Sequence, residues 1–116
     1  MSWQNYNGGR FVLVRIEAAS VRMGPFVDED DGKTLETGLS ITQSQIFLSK
    51  NDGALANIEA SGFSAPTYDS AGYYNVTLGV NDTNSRGNLL IVILATGALP
   101  VWCMVEVGPD PAPAPA

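Results

Sequence analysis

The stretch DSAGYYNVTL, residues 69–78, decides the fold of this chain. It opens with Asp69 and Gly72, which are residue types that favour turns. After the turn, apolar residues occupy every second position from Tyr74 to Leu78, which is the period of a β-strand with one buried face. We therefore predict a β-protein built around this turn and strand.

Length and composition allow one domain with a hydrophobic core. The chain has 116 residues, close to the commonest domain size, and 45% of them are hydrophobic. Charged residues make up only 16%, which is low for a free monomer and favours a protein that is normally bound to partners. The net charge of −6, without any histidine, disfavours binding to nucleic acids and membranes, since both surfaces are anionic.

Period-two patterns and turn signals in the rest of the chain predict a single antiparallel β-sandwich of about seven strands with little helix. A hairpin turn is predicted at residues 51–53, because the Asp-Gly pair readily adopts the positive φ of a tight turn. The predicted strong strands are residues 10–17, 45–50, 54–59, 73–78, 88–95 and 101–107.

The segment NLLIVILA, residues 88–95, is apolar at nearly every position. Its β-branched content and its length favour a central strand that is covered on both faces. Cys103 follows in the last strand and is expected to be a small buried hydrophobe. The core is predicted to contain Tyr74, Val76, Leu89 or Leu90, Val92 and Val105.

The two ends of the chain differ in composition from its middle. We expect an N-terminal arm at residues 1–9, a sandwich domain at residues 10–107, and an extended Pro/Ala-rich tail of polyproline II type at residues 108–116. Both extensions are expected to contact neighbouring subunits rather than their own sandwich. Aromatic residues in a loop-like arm and prolines in the tail are the candidate contacts: Trp3, Tyr6, Pro109, Pro111, Pro113 and Pro115.

Residues for catalysis are sparse. The lack of histidine excludes Ser-His-Asp and Cys-His pairs and histidine metal sites, and one cysteine cannot form an internal disulfide or a zinc knuckle. Asp69 and Glu106 are carboxylates available for glycosidase chemistry, but acids at strand ends are usually solvated. We expect no enzyme activity and no cofactor.

Four consecutive acids at residues 28–31 precede Gly32 and suggest a calcium loop. An EF-hand loop needs glycine at its sixth position and glutamate at its twelfth. Counted from Asp28, glycine is fifth and Leu39 is twelfth, which excludes an EF-hand. A solvated turn is preferred over a looser calcium site, so no metal is expected.

Five segments in fixed order resemble a domain that recurs in structural proteins of tailed bacteriophages and prophages: FVDEDDGKTLETGLSI, SQIFLSKNDGALA, DSAGYYNVTL, NDTNSRGNLLIVI and GALPVWCMVEV. The resemblance covers about residues 26–107. The third segment is also similar to the corner before the penultimate strands of immunoglobulin-like sandwiches. The resemblance implies an immunoglobulin-like virion module, and it supplies no catalytic residues.

Three functions follow from this resemblance and from the composition. The first is a capsid decoration, or cement, protein on the assembled head, with the major capsid protein, other virion subunits or its own copies as partners. A tail, neck or fibre-attachment protein is the alternative within the virion. A carbohydrate-binding module for host glycans is the third, with Tyr73 and Trp102 as candidates for its aromatic platform.

The expected location is the virion, after assembly in the cytoplasm of the host bacterium. The N-terminal residues contain no apolar stretch typical of a secretory signal. The longest apolar run is also too short to cross a bilayer.

Deletion of residues 109–116 should leave the melting temperature of the free protein nearly unchanged, because a Pro-Ala segment has no large side chain to add to a core. It should weaken retention on virus particles, since proline and alanine lose little entropy when they become ordered on a partner. A pull-down of truncated and full-length protein with particles stripped of it measures the difference. Equal retention would mean that the sandwich alone makes the contact.

Overall fold

The computed structural model describes residues 5–7 and 10–108, with side chains from residue 12 onward. This part of the chain forms nine strands and one short 3-10 helix at Gln43–Gln45. Among the described residues, no helix is long and apolar enough to cross a membrane. The strands are β1 Asn5–Asn7, β2 Arg10–Leu13, β3 Ala19–Met23, β4 Ile46–Lys50, β5 Ala56–Asn57, β6 Thr67–Ser70, β7 Tyr73–Leu78, β8 Gly87–Ile93 and β9 Val101–Val107.

The strands form two sheets whose inner faces share one hydrophobic core. The larger sheet has the order β1-β2-β9-β8-β4-β5, and the smaller has the order β3-β7-β6. Every pairing is antiparallel except that of β2 with β9, which is parallel through Val12↔Glu106 and Leu13↔Val107. The prediction of a β-sandwich is confirmed to the extent that the chain is a β-protein with two sheets. The predicted number of strands was too low, and one of the observed pairings is parallel.

Alternation within β3, β4, β7, β8 and β9 assigns one face of each of these strands to the core. Tyr74, Val76, Leu89 and Val105 are 1–2% exposed, as predicted. Val92 was predicted as core and is instead half-buried on the opposite face of β8. The prediction was wrong because only the inner face of the larger sheet is covered by the second sheet.

Several strand boundaries differ from the sequence patterns. The first predicted strand ends at Leu13 rather than at residue 17, because the chain turns at Ile16, which has a φ of 53° and donates its N–H to the Thr83 carbonyl oxygen. The return strand predicted at residues 54–59 is shorter in the structure, where it is the two-residue β5. β6 was predicted as a connection and turn, and it is an edge strand exposed at all four positions.

The predicted N-terminal arm includes β1, which pairs antiparallel with β2 from Asn5↔Val12 to Asn7↔Arg10. At this point the backbone hydrogen-bonds to its own sandwich, contrary to the expectation that the whole arm contacts neighbours. Residues 8 and 9 between the two strands lie outside the described residues.

The long connection from β3 to β4 passes from the smaller sheet to the larger one and is held by Tyr74. The Tyr74 hydroxyl donates a hydrogen bond to the Glu36 carbonyl oxygen at 3.0 Å and accepts one from the Leu39 N–H at 3.1 Å. Its ring packs edge-on against Phe26, with centroids 5.1 Å apart, and against Tyr68 at 5.4 Å. One buried side chain therefore fixes both ends of residues 26–39.

Replacement of Tyr74 by phenylalanine should lower the free energy of unfolding by about 1–3 kcal/mol, because it leaves a backbone carbonyl and a backbone N–H without their partner. Urea denaturation measures the change. Tyr73→Phe, on the opposite face of the same strand, is the control and should stay within about 0.5 kcal/mol of wild type. Equal stability of the two variants would contradict the role assigned to the hydroxyl.

Adjacent residues of β8 test which face of the larger sheet is covered. Ile91→Asp places an unpaired charge in the core and should cost several kcal/mol, enough to unfold a marginal domain. Val92→Asp, on the outer face, should remain folded at a cost of about 1 kcal/mol. Thermal melts followed by circular dichroism distinguish them, and unfolding of both variants would show that the outer face is also covered.

Candidate functional site

The outer face of the larger sheet carries an apolar surface, here called the apolar strip, made of Phe47, Leu90, Val92, Trp102 and Met104. The strand register brings these residues together. Val92 on β8 pairs with Phe47 on β4 and with Trp102 on β9, and Leu90 pairs with Met104 one step along the strands. The strip is therefore continuous across three neighbouring strands.

The strip is open to solvent at its Trp102 end. Trp102 is 67% exposed and Met104 is 38% exposed, while Leu94, which follows β8 at the same end, is 47% exposed. Phe47, Leu90 and Val92 are half-buried. Large exposed apolar patches on soluble proteins mark interaction sites, and tryptophan is enriched among the residues that dominate binding energy.

The composition of β8 and β9 explains why the strip exists. Both strands are apolar at most positions of both faces, as the sequences GNLLIVI and VWCMVEV show. The smaller sheet covers only the inner face, where Leu89, Ile91 and Val105 lie. Trp102 lies on the outer face and is exposed.

The structure does not test the partner contacts predicted in the arm and the tail. Trp3 and the four tail prolines lie outside the described residues. Tyr6 lies in β1, but its side chain is also outside them. The alternation of the last strand contained a signal for the strip, because it places Trp102 and Met104 opposite Val105.

Tyr73 and Trp102 do not form the common aromatic platform that was considered for glycan binding. Tyr73 alternates with buried Tyr74 on β7 and therefore faces outward from the smaller sheet. Trp102 faces outward from the larger sheet. The two rings lie on opposite surfaces of the sandwich.

Asp69 and Glu106 do not form a carboxylate pair. Asp69 lies on the exposed edge strand β6, where its carboxylate contacts the Arg22 Nε at 3.3 Å. Glu106 lies on β9 of the other sheet. The structure thus places the two carboxylates in separate environments.

The acidic loop, residues 28–31, is organised by hydrogen bonds within its own turn. The Asp31 carboxylate accepts bonds from the Thr34 hydroxyl, from the Thr34 N–H and from the Lys33 N–H. The Thr34 hydroxyl is the main reason that the pKa of Asp31 lies below its usual value. Among the described side chains, no group of three or more Asp, Glu, His or Cys residues is arranged to hold a metal ion.

A cavity of about 350 Å³ lies between β4, β5 and the turn after β7. Its wall includes Asp82, whose carboxylate accepts hydrogen bonds from the Gly79 N–H at 2.7 Å and the Glu59 N–H at 3.0 Å. The Lys50 ammonium group donates to the Asn81 carbonyl and the Asn84 amide oxygen, both at 2.7 Å. These polar groups bind one another and hold the turn, which gives them a structural role.

Cys103 lies on the inner side of β9, partly buried against the core. Burial raises the pKa of its thiol to about 11, so the neutral thiol is the form present at physiological pH. This agrees with the expectation of a small hydrophobic residue.

Alkylation of folded protein by iodoacetamide should be slow at pH 8 and should accelerate about tenfold per pH unit up to about pH 11, since only the thiolate reacts. Protein unfolded in urea, with an ordinary thiol pKa of about 8.5, is the control and should approach its maximal rate about two units lower. Intact-mass spectrometry follows the reaction. Equal rates for folded and unfolded protein at pH 8 would contradict the burial of the thiol.

No protein-family model, curated protein or solved structure matches this chain at a significant level. Function is therefore inferred from the chain's own surface and from the resemblance described above.

Proposed function

We propose that this protein is a non-enzymatic structural protein of a tailed-bacteriophage virion, which decorates the assembled head and docks through the apolar strip. The observation that carries the proposal is the 67% exposure of Trp102 at one end of the apolar strip. Such a face is costly to leave in water, and binding another protein removes it from water. The ordered phage-like segments support the virion as the place where this happens.

The strand order supports an immunoglobulin-like assignment within this proposal. Immunoglobulin sandwiches place strands B, E and D in one sheet and strands G, F and C in the other, extended by C′ in variable-type domains. If β3 to β9 are taken as B, C, C′, D, E, F and G, the smaller sheet here has the order B-E-D and the larger contains G-F-C-C′.

One feature departs from immunoglobulin domains. Their tyrosine corner lies near the start of strand F, and its hydroxyl bonds to the backbone a few residues upstream. Tyr74 lies on the E-like strand β7 and bonds to residues 36 and 39. The similarity therefore rests on strand order and not on this corner.

A protein partner fits the strip better than a glycan does. Sugars need hydrogen-bonding groups beside an aromatic ring, whereas Trp102 is flanked on its own face by Val92 and Met104. A tail, neck or fibre-attachment protein would use the same surface, and it differs from a head decoration protein in its copy number.

Quantitative mass spectrometry of purified virions tests the proposal. A head decoration protein should be present at a copy number comparable with that of the major capsid protein. A small number of copies would indicate the tail or neck. Absence from purified virions would overturn the proposal.

Addition of purified protein to particles that lack it tests the surface. Trp102→Ser should weaken binding about 30-fold or more, as expected for an interface anchor worth at least about 2 kcal/mol. Val80→Ser removes an apolar side chain of 48% exposure on the turn after β7 and should bind like wild type. Equal binding of all three proteins would exclude the strip as the docking surface.

A further inference from the structure

The acidic loop lies at the same end of the larger sheet as Trp102. Asp28 forms a β-bridge with Ala98, and the Glu29 N–H donates to the Gly97 carbonyl oxygen at 3.1 Å. The chain then passes through residues 99–100 into β9, whose second residue is Trp102. The backbone of the acidic loop is thus hydrogen-bonded to the segment that leads into the apolar strip.

The loop is held in place before any partner binds. The Asp28 N–H donates to the Thr34 carbonyl oxygen at 2.8 Å, and the Gly32 N–H donates to the Asp28 carbonyl oxygen at 2.8 Å. The side chains of Glu29 and Asp30 are exposed on this fixed backbone. A loop that is already ordered loses little entropy on binding.

The Trp102 end of the sandwich carries a local excess of negative charge. Residues 28–33 contain four carboxylates and one lysine, a net charge of −3 at the Trp102 end. At the opposite end of the strip, Arg15 and Lys50 donate hydrogen bonds to the turn at residues 81–84. That turn also contains Asp82, and its Asn81 donates to the Glu59 carboxylate, so acidic and basic side chains are mixed at this end. An apolar surface with acids at one end complements an apolar surface with bases beside it.

A second copy of this chain is a poor occupant for the same reason. Each copy carries a net charge of −6, so two copies that pack face to face repel each other. Building on the proposed function, we propose that the apolar strip binds a protein surface whose apolar patch is flanked by lysine or arginine side chains, which pair with the acidic loop.

The test is the salt dependence of binding to particles that lack this protein. Wild-type binding should weaken as ionic strength rises, because salt screens the pairing of opposite charges. Asp30→Asn should bind about three- to fivefold more weakly than wild type at low salt, and the difference should vanish at high salt.

Asp52→Asn is the matched control. It also removes one negative charge from an exposed aspartate, but in the hairpin turn at the end of the larger sheet away from Trp102. Asparagine tolerates the φ of 63° at this position, so the variant should fold normally. Its binding and its salt dependence should match those of wild type.

Three results would overturn the inference. If wild-type protein does not bind the particles, the proposed function and the inference are both wrong. If Asp30→Asn binds like wild type at low salt, the inference is wrong but the proposed function still holds. The third result is a dimer of the free protein, measured by sedimentation, whose affinity increases with salt and which Trp102→Ser abolishes. A second copy of the chain would then be the occupant of the strip.

Discussion

The buried hydroxyl of Tyr74 needs hydrogen-bond partners, and one loop supplies both of them. Glu36 and Leu39 belong to the connection that leads from the smaller sheet to the larger, and Phe26 packs against the same ring. With residues 26–39 fixed in this way, the acidic loop lies against residues 97–98, shortly before the start of β9. The arrangement of charge beside Trp102 thus depends on one tyrosine in the opposite sheet.

A two-layer sandwich covers each sheet on one face only, which determines where the apolar strip lies. β8 and β9 have apolar residues on both faces, and the second sheet removes only the inner set from water. The chain has few charged residues with which to make the outer face of these strands polar. This composition is typical of a protein surface that a partner covers.

Alternation placed β4, β7 and β9 within one residue of their observed bounds, but alternation that continues to residue 17 did not reveal that β2 ends at Leu13. The sequence misplaced Val92, because a continuous apolar run has no period to indicate which face the second layer covers. β6 was missed because an edge strand exposed on both faces needs no apolar residues, and its Asp69 and Ser70 are typical of turns. The partners of Tyr74 and the position of the acidic loop depend on contacts between distant residues, which local patterns do not contain. The strip was only partly predictable, since alternation indicates the face of Trp102 but not whether a third layer covers it.

The parallel pairing of β2 with β9 has a mechanical consequence. Tension applied to the chain before β2 and after β9 would first peel away the three-residue β1, which pairs antiparallel with β2. It would then pull β2 and β9 past each other along their lengths. The load would then act in shear on all of their hydrogen bonds at once, including that from the Gly108 N–H to the Leu13 carbonyl oxygen. An antiparallel pair pulled in the same way would open one hydrogen bond after another. Stretching between the two ends would therefore have to break all of these hydrogen bonds together.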